Sequence, residues 1–146
     1  MRRAFFIATV LLAMTLVLPA AALAGGSAQE RARAQAAALG WLALVDRSDL
    51  AGSYAQAHPY LRATTDRAAW DHRLKELRAD LGATRSRKLR SVEFSGDRPH
   101  PPKDPCYVFV FDTEMEKGGR VEESVTCRPD PAGVWRVSGY FVDLKL

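Results

Sequence analysis

Two periods divide the chain. From Ala34 to Leu81 apolar residues return every three or four positions, and from Val92 onward they alternate with polar ones, so helices precede strands. Ser27-Ala28-Gln29-Glu30 has the form of a capping box, in which hydroxyl and carboxylate satisfy the first free backbone donors of a helix. Ala34, Ala37, Ala38, Trp41, Leu42 and Val45 then form one apolar stripe, and the helix is expected to reach about Asp46. Asp49 to His58 predicts a shorter helix ended by Pro59, because the residue before a proline is pushed out of helical geometry. Thr64 or Thr65 should cap a third helix carrying Trp70, Leu74, Leu77 and Leu81, with an Asp71/Lys75 pair on its wet side and Gly82 as its left-handed stop.

Val92 and Phe94 share one face of a first strand, and the Pro-rich stretch 96–105 is a connection. Cys106 to Thr113, a Glu116-Lys117-Gly118-Gly119 turn and Val121 to Cys127 read as a hairpin. Asp130-Pro131-Ala132-Gly133 supplies the next turn, and Val134 to Val142 the last strand, with Gly139 marking a bend or bulge. The expected fold class is α+β: N-terminal helices over about 28–82, packed on a curved four-stranded antiparallel meander over about 87–144.

Ahead of the first helix the pattern has a different meaning. Arg2 and Arg3 precede an uncharged run from Ala4 to Leu18, and Pro19 leads into Ala22-Leu23-Ala24, the charge, core and small-residue order of a cleavable export signal. Cutting between Ala24 and Gly25 leaves residues 25–146 as one domain, exported to the periplasm or secreted, without stable membrane insertion. Left uncut, the same run approaches the length of a membrane anchor. Of the formal net charge of +4, Arg2 and Arg3 supply two, so the remaining domain lacks the strong positive field expected of a nucleic-acid partner.

Cys106 and Cys127 are the two cysteines, and in an oxidising compartment an even pair reads as one disulfide. Metal binding is the weaker alternative, since there is no Cys-x-x-Cys and His58, His72 and His100 lack ligand spacing. A direct bridge would set Val108 against Val125, Val110 against Glu123 and Asp112 against Val121. That register puts Tyr107, Phe109, Phe111, Trp135, Val137 and Phe141 on the face where helices dock, with Ser124 and Thr126 among them. Two hydroxyls there suit a partly wet cavity, or local hydrogen bonds in an ordinary core. The candidate pocket is therefore Trp41, Tyr54, Trp70, Tyr107, Phe109, Ser124, Thr126 and Trp135.

Trp41-Leu42-Ala43-Leu44-Val45-Asp46, Tyr54, Trp70 with Leu74 and Arg78, Leu81-Gly82 with Arg87, Tyr107-Val108 and Gly133-Val134-Trp135-Arg136-Val137-Ser138-Gly139-Tyr140 together resemble the bacterial exported family called domain of unknown function 4019. Similar endings occur across the cone-shaped superfamily of cystatin-like and nuclear-transport-factor-2-like proteins, which includes ketosteroid isomerase. The resemblance implies a cone of helices and curved sheet, and no settled activity. Ala57-His58 departs from a more usual Ser-Trp pair, and Ala79-Asp80 from a usual proline before Leu-Gly.

The residues form no catalytic constellation. A ketosteroid-isomerase-like isomerase or lyase would need a buried carboxylate, for which Asp46 and Asp112 are candidates, and a hydroxyl from Tyr54, Tyr107 or Tyr140. Asp112 is expected near the hairpin end with Glu114 and Glu116, in water. No nucleophile motif, phosphate loop, metal site or cofactor signature is present. Arg85, Arg87, Lys88 and Arg90 form a basic cluster that either meets an anionic partner or protects an edge strand. For Arg78 and Arg87 a structural ion pair with Asp46 or Asp80 is expected. The leading expectation is a non-catalytic exported domain holding an apolar or amphipathic ligand, or an envelope protein partner, in the cone. A structural envelope accessory is the other non-catalytic reading, and face-to-face homodimers are compatible with an open sheet.

Overall fold

The computed structural model describes residues 26–96 and 104–144; the export signal and its cut lie outside them. Four helices, α1 (Ala28–Asp46), α2 (Leu50–Gln56), α3 (Pro59–Thr64) and α4 (Arg67–Leu81), precede four strands, β1 (Thr84–Ser95), β2 (Cys106–Met115), β3 (Gly119–Pro129) and β4 (Trp135–Leu144). The sheet is an antiparallel meander in the order β1-β2-β3-β4. The class is α+β.

The capping box forms as its spacing requires: Ser27 Oγ accepts from the Glu30 amide at 3.1 Å, and Glu30 Oε2 accepts from the Ser27 amide at 2.9 Å. Of the apolar stripe, Ala34, Ala38, Trp41, Leu42 and Val45 are buried, joined by Leu44. Pro59 does more than end a helix. It pushes Ala57 and His58 into extended backbone and then occupies the first position of α3, where a missing N–H costs nothing.

His58 caps that helix through Nδ1, which accepts from the Tyr60 amide at 3.0 Å, while its own amide donates to the Val137 carbonyl at 2.7 Å. With Nδ1 accepting, Nε2 carries the proton and donates to the Pro129 carbonyl at 3.1 Å. One residue, through its ring and its backbone amide, thus ties the short helix to two strands. Asp66, rather than Thr64 or Thr65, caps α4. On α4 Asp71 pairs with Arg67 and not with Lys75, and Gly82 closes the helix at φ +71°.

The hairpin register differs from the sequence expectation by one residue. Tyr107 faces Cys127, Phe109 faces Val125, Phe111 faces Glu123 and Thr113 faces Val121. The cause lies at both ends of the alternation. Gly119 alone in the turn takes positive φ, +69°, so the ladder closes as Met115 against Gly119. That places Val121, Val125 and Cys127 inward with the aromatics of β2, all buried, and turns the more polar set Glu122, Ser124 and Thr126 to the opposite face.

Two expectations fall with the old register. Ser124 and Thr126 do not line a helix-side pocket. Cys106 and Cys127 lie on opposite faces of the sheet, and both are free, buried thiols, so there is no disulfide in this structure. Burial pushes the Cys127 thiol up to about 12, with Cys106 adding to the shift. The irregularity expected at Gly139 falls beside it, where Thr126 pairs with Gly139 and Cys127 with Val137, leaving Ser138 as the extra residue.

Candidate functional site: a buried charge relay and an orphan hydroxyl

Two places on the helix-covered face combine polar chemistry with burial. The first is built around Arg87 on β1. Its guanidinium grips Asp46, the last residue of α1, through Nη1 to Oδ2 at 2.8 Å and Nη2 to Oδ1 at 2.9 Å. It also grips Glu123 on β3 through Nε to Oε2 at 2.6 Å and Nη2 to Oε1 at 3.2 Å. Thr113 donates to Glu123 Oε2, and Tyr140 donates to Oε1 at 2.7 Å. On the other side, Thr84 and Arg78 donate to Asp46 Oδ1 at 2.9 and 3.2 Å.

Two acids and two arginines therefore balance in charge, and each carboxylate oxygen has a donor. Glu123 is 1% exposed, a position that an acid tolerates only when its lone pairs are met. Burial drives the Asp46 carboxyl upward, but the hydrogen bonds and charge of Arg87, with Thr84 and Arg78, outweigh it and hold the group below its usual value. Burial works against the charge on Arg87, and both acids overcome it, keeping the guanidinium raised above its ordinary range. For Tyr140, burial comes first; the charge of Glu123 and the hydrogen bond to it act in the same direction and hold the phenol well above its usual value.

Asp46 and Tyr140, both candidates for acid–base chemistry, are consumed in this relay. Of the two expected partners of Arg78 and Arg87, Asp46 is the one they pair with, and Asp80 is exposed. The basic cluster is accordingly split: Arg87 points inward, Arg90 pairs with Asp112 and Glu122, and Arg85 and Lys88 remain exposed.

The aromatic candidates separate into two groups. Trp41 and Trp70 meet at 5.6 Å between ring centroids and share Ser53: Trp41 Nε1 donates to its carbonyl at 2.8 Å, Trp70 Nε1 to its Oγ at 3.0 Å. Tyr54 sits at the rim, where its hydroxyl is shared by the carbonyls of Arg62 and Thr65. These three hold helices to one another. Tyr107, Phe109 and Trp135 gather instead at the far end of the sheet with Phe94; Tyr107 lies 4.9 Å from Phe94, 5.4 Å from Trp135 and 6.0 Å from Phe109.

Tyr107 is the second polar feature. It is 2% exposed, yet its hydroxyl has no hydrogen-bond partner among the described residues. Gly26, just ahead of α1, lies directly over it: a Cβ there would stand 2.3 Å from the hydroxyl oxygen. Burial raises the phenol above its usual value; Glu30 adds to that shift and Arg31 opposes it.

Sequence reasoning missed Glu123 and Thr113. An acid in phase with Val121, Val125 and Cys127 was the available signal. Among the described residues no His, Cys, Asp and Glu group could hold a metal ion, and no helix is long and apolar enough to cross a membrane.

The family described as Protein of unknown function (DUF4019) matches residues 37–140, and the chain belongs to it. The match covers both tryptophans of the helices, every member of the charge relay, and the aromatic end of the sheet. No curated protein and no solved structure matches the chain.

Proposed function

We propose that this chain is an exported, non-catalytic binding domain of the cystatin-like or nuclear-transport-factor-2-like type, which takes a small amphipathic ligand at the aromatic end of its sheet. The export half of the reading rests on the order of residues 1–24. The binding half rests on one observation: the buried Tyr107 hydroxyl lacks a partner among the described residues while three aromatic rings surround it. A buried polar group without a partner costs about 1–3 kcal/mol, and a bound ligand or water that accepts its proton removes that cost.

Against catalysis stands the relay itself, in which every oxygen of Asp46 and Glu123 already accepts from a side chain. A structural envelope accessory is the second reading, favoured by the Trp41-Ser53-Trp70 contact, which fills the middle of the helix layer. Native mass spectrometry of protein purified from an exporting host separates them. Excess mass that is lost on denaturation supports binding, and a mass equal to the bare reduced chain at every concentration of added amphiphile supports the accessory.

A further inference from the structure

We propose that the sheet face opposite the helices receives a second copy of this chain, packed face to face with its strands antiparallel to those of the first. The ladder pairings define what that face presents. Lys88, Asp112, Glu122 and Asp143 form one row across the four strands. Ser91, Val110, Ser124 and Phe141 form the next, Glu93, Val108, Thr126 and Gly139 the one after, and Arg128 then stands beside Arg136. The first row, with Arg90 bonded to Asp112 and Glu122, is net negative. The last, with Arg136 holding Asp130, is net positive; Arg128 is buried there, so Arg136 presents the charge. Between them Glu93, on the edge strand, is the single charged residue.

The open face of an antiparallel sheet is ordinarily polar. Here its middle carries Val108, Val110 and Phe141, and Phe141, at 66%, is the most exposed large apolar side chain among the described residues. Its ring leans along the face, 3.6 Å from where a Cβ on Gly139 would stand. Ser124, Thr126 and Gly139 make a low floor beside it. The order of charges chooses the occupant. A two-fold axis lying in the contact plane and running across the strands, between the two middle rows, exchanges those rows between copies. It lays Phe141 of each copy on Gly139 of the other, Val108 on Val110, and Asp143 opposite Arg136, so that acidic row meets basic row. An axis along the strands would set the acidic row on itself. Four strands of about ten residues cover roughly 33 Å by 19 Å, or about 600 Å² on each partner, the lower end of a stable interface.

The test is sedimentation equilibrium of protein from an exporting host, from about 1 to about 200 µM, a span that covers weak and firm association. The parent should pass from one copy to two. Phe141→Ser should weaken the dimer at least about thirtyfold, as loss of a central aromatic anchor does, with the thermal midpoint of the single copy kept because the ring is exposed there. Leu144→Ser, at a site 62% exposed but on the helix-side face, should leave the dimer unchanged, and Asp143→Arg should weaken it. A chain that stays single at every concentration overturns the proposal; if it then sediments with lipid vesicles as the parent and not as Phe141→Ser, the face belongs to a membrane. A dimer that Phe141→Ser leaves intact overturns the face. One that Asp143→Arg leaves intact overturns the charge-matched orientation.

Discussion

Arg87 reaches Glu123 across an intervening strand: β1 and β3 are not neighbours, and the guanidinium passes over β2 at Thr113, the residue paired with Arg87 in the ladder. A larger residue at 113 would fill that path, and a hydroxyl there also donates to the acid it exposes. The sheet is thus stapled crosswise, and the helix ending at Asp46 is stapled to the sheet by the same cation.

Removing the cation leaves an acid that is 1% exposed without its charge partner. Arg87→Met should therefore destabilise by about 3–5 kcal/mol, the usual cost of breaking a buried pair from one side. Arg87→Met with Glu123→Leu should recover much of the loss. Urea unfolding of the two variants measures both, and a single variant within 1 kcal/mol of the parent, taken as about the worth of an exposed pair, would contradict the relay.

Asp46 gives the fold a defined response to acid. Its carboxyl titrates below the usual 3.8 in the folded chain, so the unfolded chain binds the proton first as pH falls. The stabilisation is complete above the ordinary carboxylate value and drains away as pH drops through the lowered one. The thermal midpoint should fall more steeply below about pH 4 in the parent than in Asp46→Asn, which starts lower and changes less.

The cysteines should behave as core residues. With Cys127 facing Tyr107 and Cys106 on the reverse side of the sheet, a thiol reagent should label neither in the native protein, and both at full rate in urea. An intramolecular bridge in folded, oxidised protein, found by peptide mapping, would require a different register.

Tyr107→Phe should leave the ligand-free protein as stable as the parent or raise it by about 1–2 kcal/mol, because an unpartnered hydroxyl leaves the interior. Calorimetry reads this directly. A loss of more than 1 kcal/mol would mean that the hydroxyl has a partner in solution.

Element order and class were legible because the two periods are long and strongly marked, and Ser27 with Glu30 announced the first helix. The register was legible too, in the alternation of Val121, Val125 and Cys127 with Glu122, Ser124 and Thr126. Giving the two cysteines precedence over that alternation moved every residue of β3 to the wrong side. Glu123 made the alternation look broken, and an acid can sit there only because Arg87, far away in sequence, arrives over Thr113. Such a pair is invisible to local pattern. Asp46 as partner of Arg78 and Arg87 could be anticipated, since it ends a helix beside two conspicuous arginines, whereas an unpartnered hydroxyl is a property of packing and has no signature in order or composition.

The first helix is held very unequally along its length. Its last residue carries a bidentate grip from Arg87 and further bonds from Arg78 and Thr84, while residues 27–33 are all exposed and secured mainly by their own cap. Opening from the Gly26 end should consequently peel the helix turn by turn and stop where the buried Ala34 and Ala38 begin, leaving the tethered half closed. Backbone amides in the first two turns would then trade hydrogen for deuterium through brief local fraying, and those around Trp41 to Asp46 only when the whole domain comes apart. The residues packed over Tyr107 thus belong to the end of α1 that opens first.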